Sequence, residues 1–152
     1  GDFGKLESVK FPKGLKSIGA YAFCDTRIKK LDLPDEIEEI KSSAFKSTMV
    51  SGKIKKLKLP AKLRKIGKAA FEEQKMSEVT IPSKVEKIET RAFCGCEYLK
   101  KIVIKSKKLK KVGSRAFADM GKDAVIYIPK ERETEYRKMI EDSTAHAQII
   151  AQ

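Results

Sequence analysis

The dipeptide Ala-Phe recurs at 22–23, 44–45, 70–71, 92–93 and 116–117, with successive Phe residues 22, 26, 22 and 24 positions apart. Proline recurs with it, at 12, 34, 60, 82 and 129. Between these landmarks the apolar positions repeat as well. The second unit has Ile28, Leu31, Leu33, Pro34, Ile37, Ile40, Ala44 and Phe45; the fourth has Met76, Val79, Ile81, Pro82, Val85, Ile88, Ala92 and Phe93. The fifth keeps the phase but carries Lys105 where the others have Pro, followed by one extra residue before Leu109. A unit of about 22 residues cannot bury its own apolar set, so the units must stack into one continuous core. This pattern therefore points to a solenoid of five repeats over about 6–123, with a partial sixth at Ile126-Tyr127-Ile128-Pro129.

Each unit holds a short segment of period two, such as Val79-Thr80-Ile81. That period is a strand with one face inward, and copies stacked once per coil form a parallel sheet. Proline ends the strand because it cannot donate to the ladder. The next apolar pair, such as Val85 and Ile88, carries the chain around the back. Gly19, Gly67 and Gly113 follow that pair in three units, which suggests a turn favouring glycine. Ala-Phe is expected in a short helical turn. Residues 46–53 lengthen the second unit and read as a surface loop. Beyond the repeats, Glu131, Glu133 and Glu135 precede Arg137 and Lys138, the charge order a helix dipole favours. Tyr136, Met139 and Ile140 share one helical face, predicting a helix over about 130–142 that caps the last coil. Ala147–Ala151 is expected to add a short extended tail.

These landmarks resemble the BspA-like leucine-rich repeats, whose units have the form L-x-x-I-x-I-P-x-x-V-x-x-I-G-x-x-A-F-x-x-C. The resemblance covers residues 6–129. Cys96 lies near the family's Cys position, whereas Asp25–Ile28, Glu73–Lys75 and Asp119–Gly121 lack a Cys there. The expected fold class is therefore α/β: a right-handed, horseshoe-like leucine-rich-repeat solenoid. It would have a parallel sheet on one face, short helical turns on the other and a capping helix in 124–152. Residues 1–152 would form a single domain, a fragment or mature part of a longer protein, in which either further repeats precede the first coil or Asp2–Lys5 covers it poorly. The resemblance implies a bacterial, less often protist, cell-surface or secreted protein with adhesive or binding roles, and brings no catalytic residues.

No apolar run approaches the roughly 18–20 residues of a membrane-spanning helix, and no signal peptide opens the sequence. Three cysteines, Cys24, Cys94 and Cys96, are too few for a disulfide scaffold. Cys24 and Cys94 both follow Ala-Phe directly and read as small packing residues. Cys94-x-Cys96 is not zinc-ligand spacing, the single histidine is His146 in the tail, and no phosphate loop or nucleophile elbow occurs. No catalytic residue, metal site or cofactor is expected, and the chain reads as a non-enzyme.

What remains is the outward face of the strands. The register exposes Lys10, Lys30, Lys56, Lys58 and Lys101, joined by Lys105, as a basic track interrupted by Asp32 and Glu78. Near the C-terminal end Val103, Val125 and Tyr127 occupy outward positions. They form either a contact patch or a floor for the terminal helix or tail. The net charge is +13, and all but six of the 34 basic residues are lysines. Such lysines keep a sheet soluble or attract an acidic partner: a protein, an acidic glycan or a cell-wall polymer. Nucleic acid is disfavoured, because Arg is scarce and no aromatic residues interleave with the lysines. The leading expectation is a recognition or adhesion module at the cell surface or outside the cell. The alternative is a rigid spacer with no ligand of its own.

Overall fold

The computed structural model describes residues 9–28, 31–50 and 56–152. In chain order the strands are β1 (Ser17–Ile18), β2 (Arg27–Ile28), β3 (Glu39–Ile40), β4 (Met49–Val50), β5 (Lys56–Leu57) and β6 (Lys65–Ile66). There follow β7 (Glu78–Ile81), β8 (Lys87–Ile88), β9 (Lys101–Ile104), β10 (Lys111–Val112) and β11 (Val125–Ile128). A 3-10 turn at Lys130–Arg132 leads into α1 (Glu133–Glu141), and β12 (Gln148–Ala151) ends the chain. The pairings among these strands are parallel and join neighbouring coils. The result is a parallel-strand β-solenoid.

The first sheet, in the order β5-β7-β9-β11-β12, is the one the alternation predicts. In β7, Val79 and Ile81 are fully buried while Glu78 and Thr80 are half-exposed. Opposite it the chain departs from expectation. A second sheet, β1-β3-β6-β8-β10, stands on the side expected to carry only turns. Its inward residues are Ile18, Ile40, Ile66, Ile88 and Val112, β-branched in all five coils. Side chains stiff at χ1 fit a pleated stack better than a helix.

The Ala-Phe segment is not helical. It runs through overlapping β-turns, such as Ala22 N to Gly19 O, Cys24 N to Tyr21 O and Thr26 N to Phe23 O. Tyr21, Ser43, Ala69, Arg91 and Arg115, each just before an Ala-Phe, have φ between 55° and 61°. Asp25, Ser47, Glu73, Gly95 and Asp119, two residues after the Phe, are also left-handed. Left-handed backbone costs an L-residue about 1 kcal/mol or more. In return every second N–H points at the next coil: Phe23, Phe45, Phe71 and Phe93 each donate at 2.8 Å to the Ala before the next coil's Phe.

Gly67 and Gly113 serve a different purpose from the turn expected. A Cβ on Gly67 would stand 2.7 Å from the Lys41 carbonyl carbon, and one on Gly113 would stand 2.2 Å from the Thr90 nitrogen. Glycine lets the coils approach; it does not supply positive φ.

The expected loop at 46–53 is also revised. Thr48 is buried, Ser47 N donates to Glu72 O at 2.9 Å, and β4 pairs with β2. Residues 46–50 are thus ordinary coil, and 51–53 lie outside the described residues.

The interior is one continuous cluster from Ile18 to Ile140. Its axis is a stack of Phe rings: Phe23, Phe45, Phe71, Phe93 and Phe117 follow one another at centroid distances of 5.2, 5.4, 5.4 and 5.6 Å, within 9° of parallel. The predicted terminal helix is present. It buries Tyr136 and Ile140, leaves Met139 half-buried, and rests against β10 and β11. After it, Ser143 O accepts from Phe117 N at 3.1 Å, completing the ladder as a further coil would.

Candidate recognition surfaces

Repeat phase makes every outward position a row running from coil to coil. On the first sheet one row is Lys56, Glu78, Lys101, Val125 and Gln148; the next is Thr80, Val103, Tyr127 and Ile150. Lys56, Lys58, Lys101 and Lys105 are exposed, as is Lys10, which lies outside any strand; Lys30 is outside the described residues. The track is not uniformly basic, because Lys101 Nζ stands 3.8 Å from Glu78 and 5.9 Å from the Tyr127 ring centroid. Lys56, Lys58 and Lys105 make no ion pair among the described residues.

Val103, Val125 and Tyr127 are half-buried. The tail lies beside them rather than over them. The tail enters the sheet as β12 and sets Ile150 beside Tyr127, widening the apolar row. The adjacent β-branched residues Ile149 and Ile150 were the sequence signal for this strand. Arg137 Nη1 fastens it to the helix through Ile149 O at 3.1 Å.

The second sheet carries a denser charge pattern that sequence reasoning missed by assigning its segment to turns. Lys65, Lys87 and Lys111 pair in register across β6, β8 and β10. Three residues earlier in each coil stand Lys62, Lys84 and Lys108. Between these columns run Glu38, Arg64, Glu86 and Lys110, joined by backbone bonds of 2.7–2.8 Å. Glu86 is held by Lys110 at 3.1 Å and Arg64 at 2.9 Å, which keep its carboxyl below the ordinary range. Open grooves flank this central column on both sides.

Groups suited to chemistry are dispersed. Among the described residues no three of His, Cys, Asp and Glu are placed to hold a metal ion. The cysteines are free, and His146 is exposed in the tail. Glu72 is 4% exposed but engaged, by Arg91 Nη2 at 2.6 Å and Lys46 Nζ at 3.4 Å. Cys96 Sγ donates to Phe71 O at 3.2 Å, and burial pushes its thiol up to about 12. Thr48 and Gln74 stand at the same phase and donate to Phe23 O and Phe45 O. In the second, third and fourth coils the family's Cys position is therefore a donor position, supplying a hydrogen to the previous coil's Phe carbonyl; Met120, at the same phase in the fifth coil, has none to give.

Short stacked coils, parallel sheets joined by turns and row-wise outward side chains define a leucine-rich-repeat solenoid built as a repeat module. The chain belongs to the BspA-type leucine-rich repeat family, whose six-copy region matches residues 2–122 and 50–145. It is similar to a leucine-rich repeat protein from Bacteroides ovatus of known crystal structure, with 24% identity over 95% of this chain and a TM-score of 0.45. The chain spans 48% of that protein's length. No curated protein matches it. No helix among the described residues is long and apolar enough to cross a membrane.

Proposed function

We propose that the chain is a non-enzymatic recognition module, cell-surface or secreted, that holds a partner through the outward face of its first sheet. Right-handed winding, a horseshoe outline and a single repeat domain within a longer protein are part of this reading. The observation that carries it is the row Val103, Tyr127 and Ile150, apolar in three successive strands and bordered by Lys101 and Lys105. Apolar anchors inside a charged rim are the usual composition of a protein-binding patch. A protein with an acidic, apolar-centred surface fits this face better than an acidic glycan, which would not need the apolar row.

Panning a peptide display library on the immobilised chain tests the proposal. Recovered peptides should be acidic with apolar anchors, and should lose at least about tenfold in affinity for Tyr127→Asp or for Lys56→Glu/Lys58→Glu/Lys101→Glu. If no recovered peptide depends on those side chains, the spacer reading stands instead.

A further inference from the structure

We infer a second binding surface, on the other sheet, suited to a linear acidic polysaccharide lying along the solenoid axis. The inference is independent of the first-sheet reading. It starts from an electrostatic cost that packing does not explain. Lys87 stands in register between Lys65 and Lys111, on adjacent parallel strands about 4.8 Å apart. Like charges directly opposite one another destabilise a sheet. Protection of a sheet edge is no explanation, because β6 and β8 are interior strands.

The neighbouring carboxylates relieve the repulsion only at the flanking lysines and leave Lys87 itself unpaired among the described residues. Glu86 is taken by Arg64 and Lys110, Glu89 by Lys111 at 2.8 Å, and Glu131 by Lys107 at 3.3 Å. Farther along, Glu36 binds Lys62 at 2.9 Å and Glu39 binds Lys65 at 3.7 Å. Lys84, Lys87 and Lys108 are left exposed, with no ion pair among the described residues. They lie in two parallel lysine columns, Lys62-Lys84-Lys108 and Lys65-Lys87-Lys111, of which Lys62, Lys65 and Lys111 are ion-paired; each column borders an open groove that Glu38 and Glu86 also line. Each column spans about 10 Å, two coil spacings.

Evenly spaced point charges along a straight groove complement a polymer whose anionic groups also recur evenly. Two other polyanions fit less well. The outward positions of these columns offer no apolar or aromatic anchor of the kind that carries protein contacts. They also lack an aromatic ring for base stacking, and the Arg that stands between them, Arg64, is engaged by Glu86.

Calorimetric titration with a heparin oligosaccharide tests this, against a double-stranded DNA of equal charge. The parent chain should bind heparin, at least about tenfold more weakly when salt rises from about 0.05 M to about 0.2 M. Lys84→Glu/Lys87→Glu/Lys108→Glu should bind at least about tenfold more weakly than the parent, while Lys75→Glu/Lys100→Glu/Lys122→Glu, exposed lysines outside both surfaces and with the same change in net charge, should stay within about twofold. The first variant should melt no lower than the parent, because its new carboxylate at 87 lies between Lys65 and Lys111; this separates lost binding from lost folding. The inference is overturned by a parent that does not bind heparin, by equal losses in both variants, by no loss in the first, or by DNA binding as tightly with the same dependence.

Discussion

Cys96 illustrates how one side chain can serve the stack without serving chemistry. Its thiol is fully buried, hydrogen-bonded to the preceding coil, and raised from 9.0 to about 12 by burial. A thiol raised this far stays protonated and unreactive. Its folded value exceeds its unfolded one, so its contribution is fully present below about pH 9 and is lost as pH rises toward about 12. The native chain should therefore resist labelling at Cys96 by a thiol reagent at pH 8, as read by mass spectrometry. Stability should decline above pH 9 more steeply than in Cys96→Thr, which keeps a donor at the same place without the ionisable thiol. Rapid labelling of Cys96 in the folded chain would contradict the assignment. The sequence exposed the phase of this position but not its purpose. Thr48, Gln74 and Cys96 share no residue type, only a hydrogen to donate, and composition does not register that.

At the scale of elements, the irregular fifth coil and the terminal helix explain each other. Where other coils have Pro and a turn bond such as Leu63 N to Pro60 O, this coil has Lys105 and the added Ser106. There Leu109 N donates to Tyr136 Oη at 2.8 Å, and Tyr136 Oη donates to Ser106 O at 2.9 Å. The departure from the repeat forms the socket for the helix. Tyr136→Phe leaves a buried N–H without its acceptor and should cost about 1–3 kcal/mol by urea denaturation; a loss below about 0.5 kcal/mol would refute that role. The first sheet, the helix and the Phe axis were legible because each leaves a periodic apolar trace. The second sheet was not. It presents one inward residue per coil, Ile18, Ile40, Ile66, Ile88 and Val112, and a two-residue strand has no alternation to read. The coil at 46–50 was hidden by the extra residues after it, although Val50 follows Phe45 by five positions, as Ile28 follows Phe23.

For the whole molecule, the two sheets divide the outward surface into faces of different character. One pairs lysines with an apolar row; the other sets two lysine columns beside a neutralised central one. The first-sheet candidates could be named because strand register follows from alternation. The second-sheet columns become visible only once the back of each coil is known to be a strand in register with its neighbours. Both faces depend on the same condition, that each coil repeats the one before it and touches only its neighbours. That condition predicts how perturbations couple along the Phe axis. A double-mutant cycle with Phe71→Leu and Phe93→Leu, adjacent rings 5.4 Å apart, tests it by urea denaturation. Their interaction should be about 0.5–1.5 kcal/mol, whereas Phe45→Leu and Phe117→Leu, separated by two intervening rings, should be additive within about 0.5 kcal/mol. Additivity in the adjacent pair, or equal coupling in both pairs, would contradict a solenoid held together coil by coil.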